Sequence, residues 1–253
     1  MLSLYVGGAT LIHRMDPMTK MIYVLAAASI PFIIPRLAVA FACLLISLIM
    51  LIIGRVLLKT LPLLGFSLIV LHSMIIIQGL YMPENRTAVF TLGPLIFYKE
   101  GLLFAALLCV RIVGLISAIS VLVLTTAPTL LIQALVEKGF SPKLGYVMQS
   151  VLQIIPQMVQ SLHKITDAQR SRGMETEGKL WTRAKAFLPL LGPAVMNALI
   201  QTKDRAMALE VRAFNSPNKR TFLIEYHPHP IAIWLRLLLL GCIVLAIVWR
   251  LFL

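Results

Sequence analysis

The chain has 253 residues, of which 59% are hydrophobic and only 13% charged, with a mean hydropathy of +0.91. Soluble domains carry roughly 45–50% apolar and about 25% charged residues, so this composition excludes a disordered chain and argues against a water-covered soluble enzyme. The 23 lysines and arginines outnumber 10 acids and leave a net +13. In so apolar a chain that excess points to cations at a membrane surface rather than to nucleic acid.

Residues 1–20 are broken by His13, Arg14 and Asp16 and offer no cleavage site behind a short apolar core, so they do not read as a signal peptide. Five apolar segments follow: Met21–Ile34, Leu37–Ile53, Leu61–Leu80, Leu102–Thr126 and Ile231–Leu253. A bilayer span needs about 20 such residues, with a range of roughly 17–25, so these segments predict four N-terminal spans and one C-terminal span. Cys43, Cys109 and Cys242 each sit in one of these runs, without paired spacing, and read as small buried hydrophobes rather than as a disulfide or metal framework.

Between Pro128 and Pro230 the sequence changes character. Lys138–Arg220 holds 13 lysines or arginines against five acids. The short connections agree with one alternation under the positive-inside rule. Arg14 and Lys20, then Arg55 and Lys59, mark the inner side. The 81–101 connection is charge-balanced and outer, and Arg36 alone lies between the first two spans. This predicts a cytoplasmic N-terminus, a cytoplasmic 127–230 region and an external C-terminus.

Within that region, apolar residues recur from Val147/Met148 through Val151/Leu152, Ile154/Ile155, Met158/Val159 and Leu162 to Ile165, the 3.6-residue period of an amphipathic helix. Ser141-Pro142 opens it and Gly173 closes it, predicting a helix over 142–172 with Pro156 as its bend point. A second helix is predicted from about Pro193 to Ala213, ended by Asn215, Ser216 and Pro217, and a shorter one over Thr129–Glu137. Helices of this kind pack on one another, lie on a bilayer or dock on a partner.

The two long helices end alike. One closes with Ala168, three residues, Arg172, Gly173 and Met174; the other with Ala208, three residues, Arg212, Ala213 and Phe214. Two readings stand. An arginine at a helix C-terminus is electrostatically favourable by about 0.3–1 kcal/mol. It is also a planar donor fork suited to a partner's carboxylate, the small neighbour allowing close approach. Two equivalent tips would suit two equivalent partners.

Other chemistry is thinly represented. Gly54–Thr60 resembles a phosphate loop but lacks the glycine before Lys59, and no metalloprotease motif or nucleophile elbow occurs. The span interiors hold no Asp or Glu, which disfavours an ion-coupled carrier. Arg111 in the fourth span can bond backbone carbonyls or line an interface, and His72 in the third reads as a hydrogen-bonded interior histidine rather than a ligand.

Together these features resemble the transmembrane T component of energy-coupling factor (ECF) importers, the family of the cobalt and biotin transporter T subunits. Leu11–Lys20 is similar to the family's S-x-LH-x-LDPRTK opening segment, departing at Thr10, Met15 and Met18. Arg111-Ile112 with Leu124-Thr125-Thr126-Ala127-Pro128 is similar to its fourth-span pattern. Ser171-Arg172-Gly173 and Val211-Arg212-Ala213 match the paired Ala-Arg-Gly-type motifs, the second with Ala for Gly.

The resemblance implies an all-α integral membrane protein with a membrane domain over 1–126, a cytoplasmic coupling-helix region over 127–230 and a C-terminal span over 231–253. It implies a non-catalytic plasma-membrane subunit of a prokaryotic, ATP-driven importer of a vitamin or transition-metal ion. Arg172 and Arg212 would dock one on each of two ABC-type ATPase subunits, identical or not, which would bind ATP and Mg; the chain itself would hold no cofactor or metal. A separate S component would bind the cargo, with Met158, Val159 and Leu162 facing it or the lipid. The alternative is a self-sufficient secondary transporter or channel using Arg111 and His72; a membrane-embedded enzyme or a non-transport scaffold for an acidic partner is a third reading.

Overall fold

A computed structural model describes residues 5–83, 86–92, 95–174, 180–216 and 230–252. Glu84, Glu175, Glu177, Lys179, Pro217, Lys219, Arg220 and Leu253, each used in the sequence reading, lie outside the described residues. The chain forms two compact units, one of Ser3–Gly139 with Tyr226–Leu253, the other centred on Phe140–Glu225.

The first unit holds the apolar helices. A four-residue α1 (Leu11–Arg14) precedes α2 (Pro17–Ile33), α3 (Leu37–Ile53), α4 (Leu57–Tyr81) and α5 (Lys99–Thr125); α6 (Pro128–Glu137) and the C-terminal α9 (Pro230–Phe252) complete it. Of these, α4, α5 and the Ala232–Phe252 part of α9 are long and apolar enough to cross a bilayer. At 17 residues each, α2 and α3 reach about 25 Å, the short end of the spanning range. The short helix α6 falls in this first unit.

The centre of this unit is α5, which packs on α2, α3 and α4, while α9 packs on α2. Small residues make the close approaches: Ala105, Ala118 and Ser117 of α5 are fully buried, as is Ser47 of α3. A Cβ on Gly114 would stand 3.7 Å from the Leu44 backbone. Lipid offers no hydrophobic drive for helix association, so packing of small residues and interhelical hydrogen bonds, such as Tyr23 Oη to Ser47 Oγ at 2.6 Å, supply the cohesion.

The 81–101 connection contains an antiparallel hairpin, β1 (Ala88–Leu92) and β2 (Leu95–Tyr98), with Leu92 opposite Leu95 and Ala88 opposite Tyr98. Its base is tied to α5 by Thr87, whose hydroxyl donates to Glu100 Oε1 at 2.5 Å.

The second unit holds α7 (Pro142–Ser171) and α8 (Leu180–Val211). The predicted 142–172 helix is α7, opened by Ser141-Pro142 and continuous through Pro156. The second predicted helix starts earlier than Pro193: α8 carries both Pro189 and Pro193 inside it. A proline removes one intrahelical donor and kinks a helix without obligatorily ending it.

Candidate coupling site

The helices α7 and α8 run antiparallel. Tyr146 meets Phe214 edge to face with ring centroids 5.0 Å apart, Arg205 Nη2 donates to Gln157, and Asn197 Nδ2 donates to Ser161 Oγ at 3.2 Å. Each step forward on α7 is thus a step back on α8. Met158, Ser161, Leu162, Ala194, Asn197, Ala198 and Gln201 line a narrow cleft along this seam. Small and polar residues therefore make much of the contact between the helices.

The apolar stripe predicted from the sequence lies largely elsewhere. Val147, Met148, Val151, Leu152, Ile155, Met158 and Val159 of α7 are all exposed within the chain, as are Val195, Met196, Leu199, Ile200 and Met207 of α8. Of the three residues assigned to an S component or lipid, Val159 is exposed, Leu162 is half-buried in the seam, and Met158 both lines the seam and stays exposed. A patch of this extent marks a surface that meets a protein or a membrane.

Both helices end in the same turn. On α7, the Met174 N–H bonds the Gln169 carbonyl at 3.0 Å and the Gly173 N–H bonds that of Arg170 at 2.9 Å. On α8, the Phe214 N–H bonds the Leu209 carbonyl at 3.0 Å and the Ala213 N–H bonds that of Glu210 at 2.9 Å. Each is a Schellman turn, with the arginine as last cap and a left-handed residue behind it. Gly173 has φ +88° and Ala213 φ +53°. The requirement for a small residue after each arginine therefore has a local cause in the turn itself, besides any approach of a partner. Ser171, Arg172, Gly173, Val211, Arg212 and Ala213 are all exposed.

Because the pair is antiparallel, the two turns lie at opposite ends of it. Tyr146, facing Phe214, and Arg172 are 26 positions apart, so the turns are about 39 Å apart at 1.5 Å per residue.

In the membrane unit, a polar group forms within Leu11–Lys20, the segment that served the sequence reading for topology and for the family resemblance. Asp16, Thr19 and Lys20 are buried at the start of α2. Arg236 of α9 pairs with Asp16 through Nη2 and Oδ2, and its Nε donates to Thr19 Oγ1 at 3.0 Å. Lys20 Nζ donates to the Thr125 carbonyl at 3.1 Å and to Thr126 Oγ1 at 3.0 Å. The starts of α2 and α9 and the end of α5 are thereby fastened together, at the residues that lead into α6. His13 completes the arrangement: Nε2 donates to the Val6 carbonyl at 2.8 Å, leaving Nδ1 to accept from the Thr10 hydroxyl at 2.7 Å. A Cβ on Gly8 would lie 2.8 Å from the His13 ring, so the ring needs a glycine there.

Two single residues fall elsewhere. His72 is exposed on α4, not interior as the sequence suggested. Arg111 is 9% exposed, its Nε and Nη2 have no hydrogen-bond partner, and its guanidinium lies 5.1 Å over the Phe32 ring. Those two nitrogens bond no backbone carbonyl; the contact with α2 is an aromatic one. Cys242 is exposed on α9, whereas Cys43 and Cys109 are half-buried.

Long apolar helices fastened at one end by an ion pair, with an amphipathic pair inserted in the chain before the last of them, define a multi-pass, all-α membrane protein. The CbiQ family, described as cobalt transport protein, matches residues 8–223, and the chain belongs to it. The chain is 30% identical over 228 residues to the energy-coupling factor transporter transmembrane protein EcfT of Thermosediminibacter oceani, covering 86% of this chain and 85% of that one. It is 32% identical over 232 residues to the EcfT protein of Heliobacterium modesticaldum and 29% over 237 residues to that of Bacillus subtilis, with the same shares of each chain covered. These likenesses mark the chain as a T-type transmembrane component of an ECF transporter, within a complex of several subunits.

Proposed function

We propose that this subunit carries the motion of two ABC-type ATPases to a separate S component that binds a vitamin or transition-metal ion. Arg172 and Arg212 are the ATPase handles; ATP and Mg belong to the ATPases. The S component takes the exposed apolar faces of α7 and α8. The ATPases, and with them the Phe140–Glu225 unit, lie at the cytoplasmic face of the plasma membrane, with the N-terminus on the same side and the C-terminus outside.

The observation that carries this reading is the pair of matched arginine turns at opposite ends of one antiparallel helix pair. A Schellman turn fixes the arginine backbone to the helix, so a force on the guanidinium acts on the whole rod. The α7–α8 hydrogen bonds then pass displacement of either end to both helices. Among the described residues, the membrane unit holds one buried carboxylate, Asp16, and it is paired with Arg236. That gives an ion-coupled carrier no free acid to work with.

The test is co-purification from detergent with the ATPases encoded beside it. The doubly reversed Arg172→Glu, Arg212→Glu protein should lose them while retaining its own thermal transition. Retention of both ATPases would overturn the assignment of the arginines.

A further inference from the structure

At the end of the membrane unit opposite the Asp16–Arg236 pair, the link between α2 and α3 is only Ile34-Pro35-Arg36, tightened by a hydrogen bond from the Arg36 N–H to the Ile34 carbonyl at 2.8 Å. Arg36 is the single charge in that link. Its guanidinium lies 5.7 Å from the centroid of the Trp249 ring on α9. Beneath it runs a groove of about 630 Å³ lined by Arg36, Leu245, Val248, Trp249 and Phe252. The four α9 residues stand at i, i+3, i+4 and i+7, a single helical face. The groove is thus apolar along its length, with one cation at its rim.

We propose that this groove is a binding site for a phospholipid with an anionic headgroup, an acyl chain lying along the α9 face and the phosphate meeting Arg36. Depth supports that occupant. Arg236 and Trp249 are 13 positions apart on α9, about 20 Å along the axis, which carries Trp249 towards the opposite edge of the hydrocarbon layer, where tryptophan rings and arginines meet headgroups. Charge supports it too. Among the described residues no carboxylate pairs with Arg36, and a guanidinium fork offers a phosphate two parallel hydrogen bonds. Trp249 holds the fork over the groove by a cation–π contact instead of leaving it free to extend into water. The volume falls within the range of small-ligand sites, and the lining, apolar with one orienting polar group, is of the same kind.

The experiment is native mass spectrometry of the full chain released from detergent, titrated with phosphatidylglycerol or phosphatidylcholine, together with thermal unfolding in the same mixtures. The unaltered protein should take up phosphatidylglycerol about fivefold more readily than phosphatidylcholine, the worth of one interfacial cation. Arg36→Gln should abolish that preference, and Arg36→Lys should keep most of it. Lys59→Gln, which removes an exposed cation from the α3–α4 end, should leave it intact. Val248→Trp, which fills the groove, should reduce uptake of phosphatidylglycerol. Equal uptake of the two lipids by the unaltered protein, a preference that survives Arg36→Gln, an equal loss in Lys59→Gln, or full uptake by Val248→Trp would each overturn the proposal. Should Arg36→Gln fail to fold, the Arg36→Lys and Val248→Trp proteins decide it.

Discussion

The two units invert each other's use of polarity. The membrane unit buries its charge: Lys20 is 1% exposed and Asp16 5%, and apolar residues cover the outside. In the Phe140–Glu225 unit the seam between helices is largely small and polar, while Val151 is 48% and Ile155 44% exposed. Lipid accounts for the first arrangement, since a helix bundle in hydrocarbon gains nothing by hiding leucines and must pair any charge it contains. Among the described residues of the second unit, nothing accounts for its exposed stripe. The difference teaches that the same residue types hold the fold together in one unit and face partners in the other. Charge substitutions should therefore damage stability in the membrane unit and association in the other.

The heaviest loss is expected at Asp16. Asp16→Ala leaves the half-buried Arg236 without its carboxylate, which should cost up to about 3 kcal/mol, read as a fall in the thermal transition in detergent. Asp16→Ala combined with Arg236→Met should be less harmful than Asp16→Ala alone, because the orphan charge is removed. A double variant worse than the single one would mean that Arg236 has another essential partner. Lys20→Met comes next. It strips the Thr125 carbonyl and the Thr126 hydroxyl of a shared donor in a buried setting, at about 1–3 kcal/mol, measured the same way.

Much of this was legible in the sequence, and the gaps have physical causes. Hydropathy sufficed for five apolar helices, and the 3.6-residue period for α7. The repeated ends of α7 and α8 were visible because a Schellman turn demands specific residues in a fixed order. The polar fastening was missed because its members lie more than 200 positions apart, Thr19 to Arg236. A signal was present all the same: Arg236 lies within an apolar segment, where a cation calls for an acidic partner. The hairpin was also missed, although the strand formers Val89-Phe90-Thr91 and Ile96-Phe97-Tyr98 flank Gly93-Pro94, a turn signal. His72 misled because a histidine in a spanning segment suggests an interior, and one residue's side of a helix is poorly fixed when every face is apolar.

Smaller effects are expected at the two arginine turns, and of opposite sign. Gly173→Ala places a Cβ at φ +88°, in open space, so the cost is conformational alone, about 1 kcal/mol. Ala213→Gly relieves the same strain at φ +53° but loosens the unfolded chain, for a net gain of about 0.5 kcal/mol. Amide hydrogen exchange at Met174 and Phe214, the donors that close the turns, reads both locally. Equal behaviour of the two substitutions would mean that the turns are not equivalent.

The smallest change in stability should come from the boldest substitution. Val151→Glu with Ile155→Glu puts two carboxylates on an exposed face one turn apart, where surface replacements typically shift stability by no more than about 0.5 kcal/mol. The thermal transition should therefore barely move. Association should not be spared: a charge in the middle of an apolar contact must be desolvated, so co-purification of the cargo-binding subunit should fall sharply. The ATPases, held at the ends of the helix pair, should remain bound. The separation is clearest at Arg172, which lies 17 positions, about 26 Å, beyond Ile155 on α7, whereas Val151 stands about 8 Å from Tyr146, the residue that faces Phe214. If the double variant instead unfolds, the stripe is internal packing and the inversion between the two units disappears. If it loses the ATPases and keeps the other subunit, the roles assigned to the ends and the middle of the pair must be exchanged.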